Sequence, residues 1–104
     1  MFQMPGRLRA FLVVSALSLL AGCVTSPPVQ EMSDARQAIR AAEEADAERL
    51  ATETLTAARR FLAEAEEQLQ NEAYGPARLN AVRAKNRATQ ALRTSQEAAG
   101  IGRN

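Results

Sequence analysis

The sequence predicts an all-α protein, and three observations carry that prediction. Ala, Glu, Arg, Gln and Leu dominate the chain beyond residue 32, and all of them favour helix. β-Branched residues are scarce between Ser33 and Ala99. Small and apolar residues recur at alternating intervals of three and four, the spacing of a helix–helix seam. The expected architecture is an antiparallel hairpin of about 52–72 and 76–99. A shorter helix of about 33–46 precedes it, in an up-down-up arrangement of three.

The first 22 residues stand outside that pattern. Arg7 and Arg9 supply positive charge with no acid, and Phe11 to Leu20 is an apolar run broken only by Ser15 and Ser18. These are the charged and apolar regions of a secretory signal. The run is too short to span a bilayer, which takes about 20 apolar residues. Leu20, Ala21, Gly22 and Cys23 follow. The small residues fit a peptidase cleft, and the cysteine offers a thiol for acylation. This tetrapeptide resembles the signal-cleavage motif of Gram-negative lipoproteins. The resemblance implies a diacylglyceryl group on the Cys23 sulfur, cleavage before Cys23 and an N-acyl chain on the new terminus. Val24, where an Asp would favour the inner membrane, implies the inner leaflet of the outer membrane, facing the periplasm. Thr25-Ser26-Pro27-Pro28 reads as a non-helical tether. The organisation expected is thus a lipoprotein signal peptide (1–22), a lipidated tether (23–31), an alanine-rich helical domain (32–99) and a tail (100–104).

The first helical segment takes Ser33 as its N-cap and Asp34 in its first turn. Met32, Ala35, Ile39 and Ala42 form its apolar stripe. The second takes Thr52 as N-cap. Leu55, Ala58, Leu62, Ala65 and Leu69 make its heptad seam, with Ala57 and Phe61 beside it. The third opens with Pro76 at its first helical position, where a missing N–H removes no bond, and Gly100 and Gly102 end it. Its seam is Ala77, Ala81, Ala84, Ala88, Ala91, Ser95 and Ala98, small throughout, so that a partner helix can approach closely. Leu79, Val82 and Leu92 lie off that seam, free to meet a further helix. The joints at 47–51 and 73–75 are short, so neighbouring helices run antiparallel. Tyr74, Gly75 and Pro76 mark the second turn.

Composition sharpens the reading. The 104 residues are 46% hydrophobic, but only 4% are aromatic. Of the 34 hydrophobic residues from Cys23 onward, 19 are alanine, and only 14 large apolar residues remain. Such a thin core favours self-association or a protein partner in the envelope. Charge is segregated. Residues 31–72 carry 11 acids against five arginines, and residues 73–104 carry six bases against Glu97 alone. Two readings stand side by side. The basic segment neutralises the acidic one within the molecule, or it faces an anionic envelope polymer or lipid surface.

Chemistry is sparse. With no His and one Cys, histidine-based catalysis, histidine metal ligation and an internal disulfide are excluded. The formal charge of +1 gives no case for nucleic acid. Ser and Thr lack an activating base of the usual kind. The pairs Glu43/Glu44, Glu66/Glu67 and Glu64/Glu67 fall on solvated helix surface. No phosphate loop or EF-hand loop occurs. The chain reads as a non-enzyme, with no small-molecule substrate, no metal and no cofactor beyond the acyl groups on Cys23.

The run Met32-Ser33-Asp34-Ala35-Arg36-Gln37-Ala38-Ile39, then Ala57 to Leu69, then Tyr74 followed by Ala77, resembles an alanine-rich domain of unknown function. That domain occurs in short Gram-negative lipoproteins and ahead of OmpA-like domains. The resemblance covers most of residues 28–99. It implies a helical module and no catalytic residues. The family reads Gly-Asp-Tyr at the second turn, where this chain has Glu72-Ala73-Tyr74. Asn71 is then the candidate to take the left-handed conformation that glycine would adopt.

Overall fold

The computed structural model describes residues 26–101. Four helices follow in order: α1 (Val29–Glu44), α2 (Ala47–Leu50), α3 (Thr52–Gln70) and α4 (Tyr74–Ile101). The described residues contain no strand, and the fold is all-α. The core settles the directions. Ile39 and Ala42 of α1 meet Leu55 and Ala58 of α3 and Ala88 and Ala91 of α4 in one cluster. Met32, Ala65 and Ala81 meet in another. Residue numbers therefore rise together along α1 and α4 and fall along α3. This is the up-down-up arrangement, with α4 as the common wall against which both other long helices pack.

Helix α1 starts earlier than its sequence suggests, and the tether is correspondingly shorter. Ser33 is an interior helical residue and not an N-cap. The entry is made by the two prolines. Pro27 accepts a hydrogen bond from the Val29 N–H at 2.9 Å, and Pro28 accepts one from Met32 at 3.0 Å. Pro28 precedes the first helical residue, has no N–H to leave orphaned, and is fully buried. Val29 to Glu31 thus belong to the helical body. Met32, at 1% exposure, anchors this end, a burial that stabilises by about 1.5–3 kcal/mol.

The joint at 47–51 is itself ordered as the single turn α2. Asp46 enters it at φ 64°, in the left-handed region, and Arg49 binds the Asp46 carboxylate at 2.8 Å. Ala47 and Ala51 are buried in the larger cluster. Thr52 is the first residue of α3 and does not cap it. Its hydroxyl donates backward to the Glu48 carbonyl at 2.6 Å.

The second bend is also displaced. Tyr74, Gly75 and Pro76 form the first turn of α4, and the bend itself is Asn71 to Ala73. Pro76 is the third helical residue, still within the turn whose N–H groups have no intrahelical acceptor. Asn71 keeps φ at −86°, and Glu72 takes the left-handed conformation at φ 58°. Gly100 does not stop α4, which continues through it to Ile101. At 28 residues, α4 is about 42 Å long. No helix among the described residues is long and apolar enough to cross a membrane.

Candidate functional site

The small-residue seam of α4 forms the centre of the molecule. Ala77, Ala81, Ala84, Ala88, Ala91 and Ser95 are all fully buried. Ala98 is half-buried at the far end. On α3, Leu55, Ala58 and Ala65 are buried to 1% exposure or less, while Leu62 and Leu69 are half-buried at the cluster margins. Ala57 and Phe61 are half-buried too. Methyl groups at the close-approach positions let α1 and α3 pack against one face of α4, and the larger side chains fill the spaces between. The seam is consequently occupied from within the chain. The small residues, expected from the sequence to let a partner helix approach closely, are covered by α1 and α3.

Two polar residues are buried in α4, and both are satisfied. Asn80, at 6% exposure, donates to the Gln68 side-chain oxygen at 2.9 Å and accepts from Arg83 at 3.4 Å. Ser95 donates to the Ala91 carbonyl at 2.9 Å. Asn80 went unnoticed in the sequence. The signal was present, because it stands three residues after Ala77 and four before Ala84, at seam spacing.

The ion pairs are distributed unevenly among the helices. Arg36 of α1 reaches Glu66 of α3 at 3.4 Å. Arg59 of α3 reaches Glu48 at 2.8 Å and Glu43 at 3.5 Å. The hydrogen bond with Glu48 is the chief cause that raises the Arg59 pKa above its ordinary value. The acidic region thus uses its own arginines. From α4 only Arg78 crosses to a carboxylate, that of Glu31 at 3.0 Å. Arg83 lies 6.0 Å from the Phe61 ring centre and Arg60 5.7 Å, a cation–π pair of contacts. Lys85, Arg87 and Arg93 are exposed, and among the described residues no carboxylate pairs with them.

The outer face of α4 combines those free cations with apolar side chains. Leu79 is 50% exposed and Val82 39%. Leu92, by contrast, packs against the larger cluster. Asn86, Gln90 and Arg93 continue the exposed side. Val29 is 72% exposed at the start of α1. Arg78 also donates to the Ser26 carbonyl at 3.2 Å, so the incoming chain is held against the first turns of α4.

Leu20, Ala21, Gly22 and Cys23 lie outside the described residues, as does Arg103. Among the described residues no group of three or more acidic or cysteine side chains is placed to hold a metal ion.

Residues 30–100 match the family model described as domain of unknown function DUF4398. That span covers α2, α3 and nearly all of α1 and α4. No curated protein and no solved structure matches the chain.

Proposed function

The chain belongs to the DUF4398 family, and we propose that this member is a non-catalytic envelope lipoprotein whose helical body is a structural or protein-interaction module. Cys23 carries the diacylglyceryl and N-acyl groups. The body then stands in the periplasm at the inner leaflet of the outer membrane. The observation that carries the reading is the order of features around Cys23. Arg7 and Arg9, the Phe11–Leu20 run and Leu20-Ala21-Gly22-Cys23 fall in the sequence a lipoprotein signal requires. The helical body begins within six residues of that cysteine, at Val29.

The packing supports an interaction role of a particular kind. The alanine seam is already filled, so partners meet outer faces of the body and not its core. Two or more acyl chains, at about 0.8 kcal/mol per buried methylene, give stable anchoring. A short tether then keeps the body at the membrane surface.

Cys23→Ser tests the reading in cells. The variant is expected to accumulate at precursor size and to take up no labelled fatty acid. A variant of normal mature size with unchanged lipid labelling would overturn it. Crosslinking from Glu53 and Glu67, exposed on α3, and from Gln90 on α4 would then identify the face that partners meet.

A further inference from the structure

Adjoining apolar side chains left in solvent beside polar ones can mark a contact surface. Among the described residues the exposed large ones are Val29, Leu79 and Val82. They lie on the first turn of α1 and the first three turns of α4, at the same end of the bundle, because those helices run parallel. The chain enters at this end. Arg78 clasps both Glu31 and the Ser26 carbonyl. Cys23 is three residues before Ser26 in the sequence. Val82 is one helical turn beyond Arg78.

Charge follows the same direction. Between Tyr74 and Ile101 α4 carries five bases against one acid, Glu97, which lies exposed one turn after Arg93, and its exposed side adds Lys85 and Arg93 to Leu79 and Val82. The carboxylates of α1 and α3 that form ion pairs are taken by Arg36, Arg59 and Arg78. Cationic heads on long stems beside exposed apolar side chains match the boundary between phosphate headgroups and acyl chains.

We propose that the outward face of α4, with Leu79, Val82, Lys85 and Arg93, lies on the anionic headgroup surface of the bilayer that holds Cys23. This rests on the lipid-anchor reading above. The two basic residues are attracted to such a surface, an attraction that salt screens. The body lies along the membrane on α4 and turns α1 and α3 toward the periplasm.

The test uses the processed protein reconstituted in phosphatidylcholine vesicles, with and without phosphatidylglycerol. A polarity-sensitive dye is attached at Val82→Cys, or at Ala63→Cys on the exposed side of α3. The parent protein, treated with the same dye, reports on the anchor separately. No labelling means that Cys23 is blocked. Labelling means that the anchor reading fails, and the comparison is then repeated in a Cys23→Ser background with added vesicles. The expected result is a blue shift at 82, with quenching by brominated lipid, in anionic vesicles only. Position 63 stays solvent-like. Lys85→Glu with Arg93→Glu abolishes the shift, and Arg40→Glu with Arg60→Glu leaves it. Equal signals at 82 and 63 would overturn the proposal. So would a shift at 82 in detergent alone, which means a second copy, or one given only by peptidoglycan sacculi.

Discussion

The Arg78 guanidinium in the second turn of α4 lies 3.0 Å from the Glu31 carboxylate in the first turn of α1, joining two residues 47 apart in sequence. A second nitrogen of the same side chain takes the Ser26 carbonyl at 3.2 Å. One residue therefore fixes how α1 meets α4 and where the chain enters the body. Arg78→Ala should destabilise by about 1 kcal/mol, since both partners remain one-third exposed and such pairs contribute little. Urea unfolding measures this, and a double-mutant cycle with Glu31→Gln isolates the pair. A coupling that persists in high salt would contradict an electrostatic origin.

Ala84 is fully buried where α4 is closed over by its neighbours. Ala84→Leu, or Ala88→Leu, should cost about 1–3 kcal/mol through overpacking. Asn86→Leu, two residues from each on the exposed side, should change stability by less than about 0.5 kcal/mol. Thermal melts that rank Asn86→Leu as the most damaging would show that the seam is not the contact described.

Glu72 holds φ 58° at the bend between α3 and α4. A side chain in this conformation costs roughly 1–2 kcal/mol, and glycine adopts it freely. Glu72→Gly should therefore stabilise the protein by about 1 kcal/mol in chemical denaturation. The same change at Asn71, with φ −86°, should be neutral to destabilising. If Asn71→Gly stabilises and Glu72→Gly does not, the left-handed residue has been misassigned.

Asn80 tests whether the buried polar contact is structural. Asn80→Ala removes its bond to Gln68 and should cost about 1 kcal/mol. Gln68→Ala, made alone, should cost about the same, and the pair of changes less than their sum. Full additivity in unfolding free energy would show that the two side chains do not act together.

These residues also show where sequence was sufficient. The seams on α3 and α4 were legible because register alone puts Ala77 to Ser95 on one face, and burial follows from register. The helix ends were not. Ser33 has the chemistry of a cap, but the carbonyls of Pro27 and Pro28 open α1 four residues earlier. Gly100 has the chemistry of a stop, yet α4 continues through it to Ile101. Glu72, unsuited to a left-handed bend, takes one because the chain must reverse between α3 and α4. The pairing of charges was not legible for a different reason. Net charge per segment does not state which cation faces which carboxylate, and α1 and α3 turned out to use their own arginines.

Anchoring depends on Cys23, and the mass of the protein extracted from the envelope tests that directly. The expected mature chain begins at Cys23 and is heavier than its amino acids by a diacylglyceryl group and one N-acyl chain. A chain with an unmodified Cys23, or one cut at another residue, would contradict it.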